Sequence, residues 1–370
     1  MAGSNIKGLV TTYGQVGEYE DLADLIRDAA GYDTPLFSFL PRGKSKALTH
    51  EWIEDARRKT TTTLSANFTT STATMAVADG KMFVIGDTAL VDSEVVRITN
   101  ISGSNLTVTR GWGSTVTTYH ASGNTVIRLG YAGVAGADAP SANSTLKVRA
   151  YNYIQSFEDT VHVSFEERAV RNVGGDEYDY QVAKRMKEHA VSHELAILYG
   201  ARNIGTASAP PTMGGLKEWI STTTHNFAGK MSQQDFEARL RTIYTNAGSD
   251  KPDVLVVSPI VLESILFWAR ATQRSTVSEK KVGAEVMEVI TPYGRMDVLL
   301  DRHVVSGHFL ALQSNLLKWC PLVGDGNFNT KMYPLARTGS FDKSMILTLA
   351  TLERSNEVAH GYFTGVTGGA

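Results

Sequence analysis

The sequence predicts an α+β fold that carries a small all-β insertion. Three observations point there. Short β-type runs punctuated by turn signals fill residues 75–129, one long amphipathic helix covers 176–199, and the remainder mixes strands with shorter helices. The 370 residues, 42% of them apolar, are enough to bury one large core or two to three ordinary ones.

Residues 1–20 are Gly-rich and polar and read as an extended arm. Leu22, Leu25, Ile26 and Ala29 have helical spacing, which predicts a short helix over 20–30 that Gly31 ends. Thr34-Pro35-Leu36-Phe37 reads as extended, because the residue before proline avoids the helical region. Residues 47–56 read as extended or irregular, with Trp52 and Ile53 among charges. The threonine-rich stretch 60–74 suits an exposed strand, has little to bury, and is expected to project from the body.

Within 75–129 the signals Asp79-Gly80, Gly86-Asp87, Gly103-Ser104-Asn105, Gly111-Trp112-Gly113 and Ser122-Gly123-Asn124 separate runs at 82–85, 94–99, 105–110 and 125–129. Leu106, Val108 and Arg110 alternate with Thr107 and Thr109, which is strand periodicity. Four or more such strands make a small barrel or sandwich, set into a longer hairpin and followed by a Gly/Ala/Pro/Ser linker. Residues 146–153 and 160–165 read as strands.

The helix over 176–199 opens on Asp176 and Glu177, which complement its dipole, and stops at Gly200. Val182, Met186, Ala190, His193 and Ile197 share one face. Ser232 caps a further helix with Phe236, Leu240, Ile243 and Tyr244 on its apolar side. Residues 253–257 form an apolar strand, and Ser258-Pro259 opens a helix to about 270. Residues 271–281 are polar and read as a loop. Runs at 287–290, 296–300, 309–312, 316–319 and 344–352 read as strands, before a Gly-rich tail.

Charge excludes one class of function. A formal net charge of −2 with no clustered basic face is not that of a dedicated nucleic-acid binder. A single cysteine, Cys320, cannot form an internal disulfide. With no signal-like opening and no long apolar run, the chain is expected to be soluble, made in a reducing cytoplasm, with no membrane partner.

No catalytic, cofactor or metal site is expected from the motifs. His189 and His193 share a helix face, but Ala190 stands where a zinc protease needs glutamate, so they read as packing or interface residues. Cys320 reads as a packed thiol and the glycine pairs 111/113 and 133/136 as turns. The cluster Glu51, Trp52, Glu54, Asp55, Arg57, Arg58 and Lys59 reads either as a solvated face or as intersubunit contact residues. On the second reading, reversing Arg57 and Arg58 to Glu impairs assembly and leaves the subunit folded, because few of their contacts are internal.

Two segments carry a family likeness. Thr34-Pro35-Leu36-Phe37, Gly43-Lys44 and Thr49-His50-Glu51-Trp52-Ile53-Glu54-Asp55, followed by Tyr151-Asn152-Tyr153-Ile154-Gln155-Ser156-Phe157 and Val161-His162-Val163-Ser164, resemble signatures of the tailed-bacteriophage major capsid family. Phe165-Glu166-Glu167-Arg168 departs from the small polar residues expected there. The resemblance implies the Hong Kong 97-like fold: an arm over 1–46, an extended loop from 47–72 and 142–170, a β module at 73–130, and a linker at 131–141. A peripheral domain with a spine helix would take 171–211 and 338–370, and an axial domain 212–337. It implies a non-enzymatic shell protein forming hexamers and pentamers of an icosahedral head around double-stranded DNA. Scaffolding, portal and decoration proteins would be partners, and the virion, assembled in the bacterial host cytoplasm, the location. An encapsulin-type compartment is the nearest alternative. A hydrolase with a β-barrel accessory domain is the alternative from another class, but no convergent acid, base or nucleophile can be assembled for it.

Overall fold

The computed structural model describes residues 33–55, 58–136, 139–169, 176–206, 208–247, 250–272, 287–323 and 330–369. The chain divides into two units, Met1–Trp52 with Tyr151–Ala370, and Ile53–Ala150. The helix expected over 20–30 and most of the loop expected at 271–281 lie outside the described residues. Thr272 ends a helix instead.

The chain passes between the units along β1 (Thr49–Glu54) and β8 (Val148–Tyr153), which pair as a two-stranded sheet. The smaller unit holds β2 (Thr61–Thr63), β3 (Thr74–Ala76), β4 (Asp87–Val91), β5 (Glu94–Ser102), β6 (Asn105–Thr109) and β7 (Thr125–Tyr131). They form one antiparallel sheet in the order β2-β7-β4-β5-β6-β3. Its outer strands meet: Leu64 bridges Val77, Ser65 N–H donates to the Ala76 carbonyl at 3.0 Å, and Ala78 N–H donates to the Thr63 carbonyl at 2.9 Å. The sheet thus closes on itself, which removes both edges.

The threonine-rich stretch therefore does not project. Threonines 61–63 and Thr74 lie in paired strands, and Leu64 and Phe68 between them enter the core with Met75, Val91, Val96, Ile98 and Leu106. Each such burial contributes roughly 1.5–3 kcal/mol. The strand expected at 82–85 is a turn. Met82 and Phe83 are apolar because they plug the core, not because they pair, while the unforeseen β4 follows them.

The larger unit contains α1 (Pro35–Phe39), β9 (Gln155–Ser164), α2 (Phe165–Ala169), α3 (Glu177–Tyr199), α4 (Leu216–Trp219), β10 (Thr224–Met231), α5 (Gln233–Ala247), β11 (Val254–Val257) and α6 (Pro259–Thr272). After these come β12 (Met287–Thr291), β13 (Gly294–Leu300), β14 (Phe309–Leu312), β15 (Leu317–Pro321), β16 (Lys331–Pro334), β17 (Phe341–Arg354) and β18 (Gly361–Gly369). Six strands make a mixed sheet in the order β10-β18-β14-β11-β13-β12. β11 shows why it is central. All four of its side chains are buried; Leu255 and Val257 face the layer of α5 and α6, and Val254 and Val256 face the layer of α3. A strand covered on both faces has no polar side to show.

A second sheet is built on β17, whose side chains alternate between buried and half-buried. β9 pairs along Phe341–Ala350, while β16 and β15 divide its other edge. β15 and β16 thus lie in the sheet of β9 and β17, not in the six-stranded sheet. β18 crosses the other way into the six-stranded sheet. The expected Gly-rich tail is that strand. Gly365 has φ 76°, and any side chain there would strike Asn226 on the neighbouring β10.

Two further expectations change. Residues 35–39 are helical, with Pro35 in the first turn, where its missing N–H costs nothing. The first half of α3 does not bury its expected face: Met186 is 42% exposed, and the buried stretch is His189 to Leu198. Residues 165–169 form α2, so the departure from the family signature there coincides with a short helix.

Candidate assembly surface and buried polar centres

β1 places the predicted contact residues by simple alternation. Glu51 and Ile53 are exposed, whereas Trp52 and Glu54 are half-buried. Asp55 accepts a hydrogen bond from Thr145 Oγ1 at 3.1 Å. Lys59, largely solvated, lies 3.7 Å from the half-buried Asp79. Arg57 lies outside the described residues. Arg58 turns inward: its Nε donates to the Met82 carbonyl at 2.9 Å and its guanidinium lies 3.5 Å from the fully buried Asp87. Burial and the neighbouring Arg128 lower its pKa. The expectation that few of Arg58's contacts are internal is therefore corrected. A buried carboxylate two strands away recruits it, and nothing local in the sequence marks that.

What the charge pattern concealed is a set of exposed aliphatic side chains, on both faces of the two strands. Leu48 (71% exposed) and Ile53 (70%) lie on or beside β1, and Leu146 (85%) and Val148 (62%) on or beside β8. The signal was present as isolated large aliphatics in a polar, extended context.

Two polar centres lie inside the units. In the β unit, Glu94 is completely buried and accepts five bonds. They come from Arg110 Nε (3.0 Å) and Nη2 (2.6 Å), Gly111 N–H and Thr118 N–H (3.1 Å each), and His120 Nε2 (3.0 Å). His120 Nδ1 reaches Asp92 at 2.6 Å. Burial pushes the Glu94 carboxyl up, but those bonds outweigh it and hold it at about 2.

In the larger unit the family signatures converge on α3. Glu194, fully buried, accepts from Leu36 N–H at 3.0 Å and Phe37 N–H at 2.6 Å, capping α1 from a distant helix. Burial first, then the charge of the buried Asp301, raises its pKa well above the carboxylate range. His193 sits among the rings of Phe37, Phe157, Trp319 and His189, 4.6 to 5.0 Å between centroids. Burial, with His189 and Arg42, lowers it to about 3, so it is neutral. His189 bonds Asp159 (2.7 Å) and Thr348 Oγ1 (2.8 Å). Both histidines pack. Asn152 of the second signature has every polar atom engaged: it donates to the Gly214 and Leu352 carbonyls and accepts from Gly214 and Tyr153 N–H. The signatures thus supply Leu36, Phe37 and Phe157 to the packing and bonding around α3, while Asn152 ties β8 to Gly214 and to β17.

The family model described as SU10 major capsid protein matches residues 6–367. The chain belongs to the SU10 major capsid protein family. No curated protein matches the sequence. Solved structures share the fold at low identity. The capsid of cyanophage A-1(L) has a TM-score of 0.54 at 10% identity, covering 95% of this chain and 97% of that one. The capsid of a native GTA particle has 0.50 at 8%, covering 96% and 97%. The phage G major capsid protein, solved with decoration proteins, has 0.48 at 9%, covering 97% and 100%. This major capsid protein thus has the Hong Kong 97-like fold of the tailed-phage shells, and the family decides for the capsid reading over the encapsulin one.

Proposed function

We propose that copies of this capsid protein bind one another through the β1–β8 pair, forming the hexamers and pentamers of a head that encloses double-stranded DNA. One observation carries this reading: the two-stranded pair of β1 and β8 exposes large aliphatic side chains, Ile53 on one face and Val148 on the other, with Leu48 and Leu146 just beyond the strand ends. A two-stranded sheet has free edges, and exposed large aliphatics beside such an edge favour pairing with another chain. A second copy is the partner that a shell supplies at every position. Glu51, Asp55 and Lys59 then serve as charges at the edge of that contact, each contributing ~0–1 kcal/mol. The near-neutral chain supports a wall that holds DNA without gripping it, since phosphate contacts need lysine and arginine. Assembly in the host cytoplasm, with scaffolding, portal or decoration partners, completes the reading.

The test is the double variant Ile53→Asp, Val148→Asp. Thermal melting of the unassembled subunit should stay within a degree or two, because both side chains are solvent-facing, while particle yield by sedimentation should collapse. Particles at the normal yield would remove the ribbon from the interface.

A further inference from the structure

Three donor atoms of different chemistry meet on one side of the β17 sheet. His50 Nε2 lies 3.0 Å from Glu353 Oε2, and Cys320 Sγ lies 3.7 Å from the same oxygen. All three donor atoms fall within 4.8 Å of one another. The backbone explains the meeting. Lys318 stands opposite Glu353 in the β15–β17 ladder, so Cys320, two residues on, shares their face. Residues 41–45 run beside β15, with Gly43 N–H donating to the Trp319 carbonyl at 2.8 Å and Ser45 N–H to the Pro321 carbonyl at 2.9 Å. That brings β1 and His50 in behind them. Any side chain at Gly43 would overlap the Cys320 sulfur.

The cluster is poorly suited to nucleophilic chemistry. The thiol is fully buried, and burial and the Glu353 carboxylate push it up to about 12. It is better suited to a cation. Thiolate, imidazole and carboxylate are the ligand types of zinc, and a tetrahedral ion bound at ~2.0 Å to N and O and ~2.3 Å to S spaces its ligands by about 3.3 to 3.5 Å. The observed 3.0 and 3.7 Å lie on either side of those edges. Lys318 Nζ donates to the other carboxylate oxygen, Oε1, at 2.9 Å. It leaves Oε2 turned to His50 and Cys320, as an outer-shell partner does for a metal-bound carboxylate. The bond from His50, and that from Lys318, hold Glu353 ionised at about 2 against the effect of burial.

We propose that His50, Cys320 and Glu353 form a binding site for a divalent cation of the zinc class, with water as the fourth ligand and Lys318 orienting the carboxylate. The ion would staple β1 to β15 and β17 inside one subunit, so the site does not depend on the assembly reading.

The test is titration of the metal-stripped full-length protein with Co2+ under reducing conditions. One equivalent per chain should produce a near-ultraviolet sulfur-to-cobalt charge-transfer band with four-coordinate visible bands, and Zn2+ should displace it. Cys320→Ser should abolish the charge-transfer band. His50→Gln, which leaves the thiol in place but removes a direct ligand, should weaken binding by at least the roughly 100-fold that loss of an outer-shell partner can cost. Zn2+ should raise the melting temperature of the parent chain and not that of His50→Gln. Should Cys320→Ser fail to fold by circular dichroism, the His50→Gln pair of measurements decides. Absence of a sulfur band in the parent chain, or equal affinity in His50→Gln, overturns the proposal.

Discussion

Glu94 shows what one inward-facing carboxylate demands of its neighbours. Strand alternation turns Glu94, Val96 and Ile98 into the same core, so the charge must find partners there or leave. Arg110, itself packed 3.9 Å over the Phe68 ring, and His120 supply them. Glu94→Gln should cost about 3 kcal/mol by stranding Arg110 and His120, read as a lower melting temperature. Its folded pKa is depressed from 4.5 to about 2, so the stability it contributes is present above pH 4.5 and is lost as the pH falls toward 2. Melting temperature against pH should fall across that window in the parent chain and stay flatter in the variant. Arg58 belongs to the same class of residue. Asp87 is completely buried, with Arg128 at 2.6 and 2.7 Å and Arg58 at 3.5 Å. Arg58→Glu should destabilise the subunit itself by about 2 kcal/mol, because it sets a second carboxylate beside a buried one. An unchanged melt with lost assembly would instead return Arg58 to the surface.

At the scale of elements, the junction of α1 with α3 is the sensitive one. Five residues cannot hold a helix alone, and α1 depends on Glu194 for two of its orphan N–H groups. The Glu194 pKa is raised, so its contribution is complete below the ordinary carboxylate range and is lost as the pH rises through the raised value. Glu194→Gln retains one acceptor oxygen and removes the titrating carboxyl that faces Asp301. The parent chain should lose thermal stability as the pH rises from about 4.5 to about 8, and the variant should lose less over that window. Equal pH slopes would exclude the Glu194–Asp301 pair as the cause. Elements with strong local signals were legible beforehand. Asp176 caps α3 by accepting from Tyr178 N–H at 2.9 Å, and Ser232 caps α5 by accepting from Asp235 N–H at 3.2 Å. β18 was not legible, because its glycines carry no alternation and it is held by backbone pairing to β10 and β14.

For the whole molecule, the β unit is a self-contained closed sheet with its own core. A fragment spanning 53–150 should fold and melt cooperatively, with a β-type circular dichroism spectrum. A fragment limited to 73–130 should not, because it lacks Leu64, Phe68 and the strand that closes the sheet. Comparable melts of the two would show that closure through β2 is dispensable. The sequence by itself determined the α+β class, the existence of the β insertion, the long helix with its caps, and the order of segments that carries the family likeness. Those features rest on interactions between near neighbours: period, turns, caps and burial of apolar runs. Only the tertiary structure decided that the threonine-rich stretch closes a sheet, that Arg58 faces inward, and that Glu194 meets α1. It also brought His50 to Glu353, 303 positions away, and Cys320 to the same carboxylate, 33 positions away. Such meetings depend on which strands pair in which register, and no residue's local pattern contains that information.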